Sequence, residues 1–146
     1  ILIGDITIQE SFVKMPLILS FQFMTNPTFL QVIENDLGLR NITATQDWLK
    51  ENKNSIELKL EEHGAILFKD LPIGTAEDFD QFVSTFNYDT FTYEESLSNA
   101  VRINKTNKVF TANEAPREVE IFLHHEMAQT PTYPKNIFFF CKSASE

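Results

Sequence analysis

"GAILFKDLPIGTAEDFDQFVSTF" (residues 64–86) carries both periodicities that decide the fold. Residues 65–68, "AILF", are a short apolar run behind Gly64, the pattern of a short buried strand. Thr75 is followed three residues later by Asp78, an acidic variant of the capping box, and then Phe79, Phe82, Val83 and Phe86 recur at helical spacing. Such a phenylalanine stripe is core packing rather than cofactor contact, and it is expected to bury against the sheet that includes residues 65–68.

Working upstream, "TQDWLKEN" opens on the capping hydroxyl of Thr45, and "SIELKLEEHG" offers Ser55 as a second cap and Gly64 as a stop. Further back, Leu17, Leu19, Phe21 and Phe23 alternate in "LILSFQF" as a half-buried strand would. Downstream of Tyr88 the helical period disappears. A polar stretch through Asn107 leads to "KVFTA", "EVEIFLHHE" and "NIFFFCK", three predicted strands separated by proline-bearing loops. There is no internal repeat. The order of elements predicts an α+β domain with helices set against one sheet unit.

Composition narrows the function classes. A chain of 146 residues, 42% hydrophobic with 14 phenylalanines, can bury one sizeable core. Its 12 Lys+Arg against 21 Asp+Glu, without a basic run, lack the electrostatic footprint of a nucleic-acid binder. Residues 15–33 carry no charge, but Pro16, Pro27, Asn26 and Gln22 interrupt them, so no membrane span is expected. The start lacks a basic leader region, and the single cysteine, Cys141, cannot form an intrachain disulfide and is read as a buried strand residue. A cytoplasmic protein is expected. Residue 1 is not methionine, which fits a processed chain or a piece of a longer one.

The chemistry concentrates in "LHHE". On a strand, Phe122, His124 and Glu126 share one face while His125 takes the other. His124 and Glu126 can therefore converge on one ion. An imidazole and a carboxylate from an H-x-E pair, with one further imidazole, make the facial triad of non-haem iron(II) oxygenases. A three-residue pattern is weak by itself, and the same pair also suits a solvated strand face.

The surroundings of that pair are more specific. "GAILFKDLPIGTAEDFDQFVSTF", "VFTANEAP" and "LHHEMAQTPTYPKNIFFFC" occur in the order and approximate spacing seen in the TauD/TfdA-like family of iron(II)/2-oxoglutarate-dependent dioxygenases, which this chain resembles over residues 45–146. Residues 1–44 are an unmatched N-terminal segment. The resemblance implies a double-stranded β-helix, or jelly roll, with flanking helices. It also implies Fe(2+) held by His124 and Glu126, 2-oxoglutarate and O2 as co-substrates, and oxidation of a C–H bond of a small molecule. Family members with glutamate in place of the commoner aspartate exist, so Glu126 fits, whereas related halogenases place Gly or Ala there. Asn113 and Glu114 in "TANEAP" become candidate substrate contacts, though both residue types also suit an ordinary turn. Arg102 lies near a family "PR" position without its proline; it is a candidate substrate contact, but a solvated loop arginine is the favoured reading.

Two family features have no counterpart here. The second iron histidine and the arginine that pairs with 2-oxoglutarate lie far downstream in the family, and only 20 residues follow Glu126. His125 faces the wrong way, and His63 sits where the family has a structural turn. "IFFFC" is apolar on both faces and expects neighbours on each. The chain is accordingly expected to be the amino-terminal part of a larger oxygenase, inactive alone. The competing expectation is a non-catalytic half jelly roll that packs against or binds a partner.

Overall fold

A computed structural model describes residues 2–3, 28–90, 102–112, 114, 116, 118–120, 122 and 134–143. The chain forms two compact units, residues 12–72 and residues 1–11 with 73–146.

In the first unit, β2 (Gln31–Glu34) and β3 (Ile66–Lys69) pair in parallel, with Val32 opposite Leu67 and Ile33 opposite Phe68. Parallel neighbours need a long crossover, and α1 (Ile42–His63) supplies it. Helix α1 is one continuous element, where two capped segments were expected. Its cap is Asn41, whose Oδ1 accepts the Ala44 amide at 2.9 Å. Thr45 lies inside the helix, fully buried, its hydroxyl donating to the Asn41 carbonyl at 3.1 Å. Ser55 is an exposed mid-helix residue. With no glycine or proline between Ile42 and His63, and the good helix formers Lys53, Glu57 and Leu58 within three residues of Ser55, nothing stops helix propagation there.

The stop at Gly64 is as expected. Its φ of 75° is left-handed, and its amide donates to the Leu60 carbonyl at 2.8 Å. Thr45, Leu49 and Ile56 form the buried stripe of α1, and the Trp48 ring meets Phe68 of β3 edge-on at 6.5 Å. The opposite face of this sheet carries Val32 and Leu67, both exposed, and an ion pair of Lys69 with Glu34 at 2.7 Å. The hydrogen bond and charge of each partner hold Glu34 below, and Lys69 above, their ordinary pKa values.

In the second unit, α2 (Ala76–Ser84) follows the expected capping box. The Asp78 amide donates to the Thr75 hydroxyl, and the Asp78 carboxylate accepts the amides of Thr75 and Gly74, each at 3.1 Å. Phe79, Phe82, Val83 and Phe86 are all at most 4% exposed. Within this unit Phe79 stacks on Phe140 at 5.3 Å, and Phe86 meets Phe138 at 5.2 Å and Tyr88 at 5.4 Å. Asn87, at φ 52°, turns the chain out of the helix, a conformation asparagine tolerates.

Three short strands complete this unit: β1 (Leu2–Ile3) pairs in parallel with both β4 (Phe110–Thr111) and β5 (Phe139–Phe140), in the order β4-β1-β5. The α+β class therefore holds. The predicted strand over residues 118–126 does not form at its described positions: the Val119 amide donates to the Pro116 carbonyl at 3.0 Å, closing a turn, and residues 118–120 and 122 join no strand. The predicted strand over residues 17–23 lies outside the described residues. Among the described residues, no helix is long and apolar enough to cross a membrane.

Candidate functional site

The candidate residues lie on the segment that begins with an antiparallel hairpin over residues 102–112. The Thr111 amide donates to the Ile103 carbonyl at 2.9 Å, and the Ile103 amide returns to the Thr111 hydroxyl at 2.9 Å. At the tip, the amides of Lys105 and Thr106 both reach the Val109 carbonyl, at 2.7 and 3.0 Å. Val109 is fully buried and Thr111 nearly so, which seats the hairpin in the core beside its hydrogen-bond ladder.

Arg102 is assigned by its contacts. Its Nη1 donates to the Ala112 carbonyl at 2.8 Å, and its guanidinium lies 5.4 Å from the centre of the Phe110 ring. It is thus a half-buried brace across the open end of the hairpin, neither a solvated loop arginine nor a side chain projecting into solvent. Glu114, two residues beyond the braced carbonyl, is exposed. Asn113, His124, His125 and Glu126, and with them the expected convergence of His124 and Glu126 on one face, lie outside the described residues. Cys141, expected to be buried, is exposed, its thiol donating to the Ser143 carbonyl at 3.2 Å.

His63 is held by the fold. Its Nδ1 lies 2.9 Å from the Thr28 carbonyl at the end of α1, tying the helix terminus to the chain entering β2. Such a contact gives the imidazole a structural task far from "LHHE" in sequence. Among the described residues, no group of three or more His, Cys, Asp or Glu is arranged to hold a metal ion. A hollow lined by Asn35, Leu39, Trp48 and Leu71 has a volume of about 20 Å³, room for one water. The Asn35 side chain is already spent on the Leu39 amide and the carbonyls of Leu39 and Asp70.

One cluster was not anticipated from sequence. Asp80 on α2 accepts the Thr106 hydroxyl at 2.5 Å and the Ser84 hydroxyl at 3.1 Å, and the Lys108 ammonium donates to Ser84 at 3.0 Å. Asp80 and Ser84, four apart on a helix, gave a weak signal of a local pair. Nothing in the spacing pointed to Thr106, 26 residues away.

Comparison with known proteins places these residues in context. Residues 30–146 match the family described as "Taurine catabolism dioxygenase TauD, TfdA family". A clavaminate synthase-like protein of Arabidopsis thaliana is 38% identical over 94 residues, a match covering 64% of this chain and 28% of that protein. The chain thus matches little more than a quarter of its relative's length. Because the family match extends over most of the 146 residues, and includes the hairpin, "TANEAP" and "LHHE", the chain belongs to the TauD/TfdA family.

Proposed function

We propose that this chain is part of a non-haem iron(II)/2-oxoglutarate-dependent oxygenase acting on a C–H bond of a small molecule. The observation that carries the reading is the H-x-E pair, His124 and Glu126, lying inside the family-matched region. A neutral imidazole and a carboxylate are the donor types a facial iron(II) site uses, and these two side chains would hold the ion. When bound, iron(II) with 2-oxoglutarate supplies oxidative decarboxylation to succinate coupled to substrate oxidation by O2.

The chain's own residues do the rest of the work in this reading. His124 has to stay neutral and Glu126 ionised to act as donors, which favours metal binding near and above neutral pH. Glu114 and Asn113 lie on the approach to the pair in sequence and are proposed to meet the substrate. Arg102, by bracing the Ala112 carbonyl, orients that approach. Residues 45–146 are the amino-terminal part of a domain whose proposed fold is the jelly roll, in a cytoplasmic setting.

The chain has three histidines, of which His63 is engaged by the Thr28 carbonyl. The competing reading is a non-catalytic domain that packs against or binds a partner. The two are separated by titrating the complete reading frame with iron(II) and 2-oxoglutarate without oxygen, then measuring succinate under air with ascorbate. The oxygenase predicts a metal-to-ligand charge-transfer band and succinate, both lost in Glu126→Ala. Absence of both from the complete protein overturns it.

A further inference from the structure

We propose that Asp80, Ser84, Thr106 and Lys108 form a latch that fixes the 102–112 hairpin to α2 and thereby sets the pose of the chain leading to Glu114. The functional consequence rests on the reading of Glu114 as a substrate contact; the latch itself rests on geometry.

Thr106 is the centre of the latch because its one hydroxyl serves both sides. It donates to the Asp80 carboxylate at 2.5 Å, and it accepts the amides of Lys108 and Val109 at 3.1 and 3.0 Å. The amide bonds shape the tip of the hairpin, and the carboxylate bond ties that tip to α2. The other carboxylate oxygen takes the Ser84 hydroxyl at 3.1 Å, and Lys108 closes the circuit onto Ser84 at 3.0 Å. All of these contacts are partly buried. A carboxylate partly withdrawn from water gains from donors, and the two hydroxyls supply them while an ammonium sits one hydroxyl away.

Packing alone does not fix this pose. Val109 is fully buried, but apolar burial is non-directional and tolerates small slides of one element on another. Hydrogen bonds to Asp80 are directional and select one registry of hairpin on helix. The helix is itself anchored through Phe79, Phe82, Val83 and Phe86, so it is the fixed partner. At its far end the hairpin is held by Arg102 on the Ala112 carbonyl, two residues before Glu114 in sequence. Clamped at tip and base, the hairpin fixes the Ala112 carbonyl from which the chain leads on toward Glu114, and Thr106 acts as a positioning residue through it.

The test uses the complete protein and amide hydrogen exchange at Ile103 and Thr111, with Val83 of α2 as the internal reference. Thr106→Val keeps the shape and removes the hydroxyl; Thr106→Ser restores it. The expected result is exchange at Ile103 and Thr111 faster by about tenfold in Thr106→Val, with Val83 unchanged and Thr106→Ser near wild type. Unchanged hairpin exchange in Thr106→Val, or equal acceleration at Val83, overturns the latch. Should Thr106→Val not fold, Lys108→Met carries the test, with an expected acceleration of about threefold confined to the hairpin, and no change overturns the proposal. The iron(II)·2-oxoglutarate charge-transfer band is read in parallel. Its retention in Thr106→Val supports an effect limited to the approach segment, and its selective loss there overturns that limit. Its absence from the wild type overturns the oxygenase reading and leaves the exchange result to decide the latch.

Discussion

Replacing Phe82 by alanine tests the core of the second unit most directly. Phe82 is 3% exposed and meets Phe86 edge-on at 5.7 Å, within a cluster continued by Phe138 and Tyr88. Burying a phenylalanine removes about 200 Å² of apolar surface from water, and at roughly 25 cal/mol per Å² this contributes about 5 kcal/mol. A compact unfolded chain already hides some of that surface, which lowers the figure to roughly 3 to 4 kcal/mol. The cavity left behind and the lost edge-to-face contact work in the opposite direction, so a loss of about 3 to 5 kcal/mol is expected. That is a large share of the roughly 5 to 15 kcal/mol that holds an ordinary domain folded.

The assay is amide hydrogen exchange at Val83 of α2 across a urea series, because far-ultraviolet circular dichroism is dominated by α1 of the other unit. Trp48, the only tryptophan, lies in the other unit and reports on that unit instead. Leu58→Ala is the control: Leu58 is 67% exposed on α1, and its truncation should change stability by less than about 0.5 kcal/mol. A loss below about 1 kcal/mol for Phe82→Ala would mean that the stripe is not packed, and the assignment of a core around Phe79, Phe82, Val83 and Phe86 would fail.

Two further outcomes follow from the capping box and from His63. Hydrogen bonding by Thr75, and next by the Gly74 amide, holds the Asp78 carboxyl below the usual aspartate range. A depressed folded-state pKa stabilises at pH values above the unfolded-state pKa and is lost as pH falls through the folded-state value. Asp78→Asn should therefore destabilise at neutral pH, and the gap from wild type should close in acid; a gap independent of pH in unfolding titrations contradicts the assignment. His63→Gln should cost about 0.5 to 1.5 kcal/mol by weakening the tie to the Thr28 carbonyl, while leaving iron(II) affinity of the complete protein unchanged. Loss of iron binding in isothermal titration would instead make His63 a ligand.

The division between what sequence determines and what needs the fold follows the range of the interactions. Thr75 and Asp78 make their capping box, and Gly64 ends its helix, through contacts within four residues, so both were legible in the chain alone. The strand after Gly64 and the buried phenylalanine stripe were legible for the same reason, since periodicity is a local property. Helix α1 ran past Ser55 because propagation, once nucleated at Asn41, needs an actual breaker to stop it. The family was legible because "LHHE" and its flanking segments keep a characteristic order. Tertiary structure alone decided that Phe138 and Phe140 cover α2 and that Arg102 braces Ala112. It also decided that a hydroxyl at Thr106 would find a carboxylate 26 residues back. Each of these joins residues whose separation along the chain carries no signal until the backbone brings them together, because a partner at long range is chosen by packing and available donors rather than by spacing.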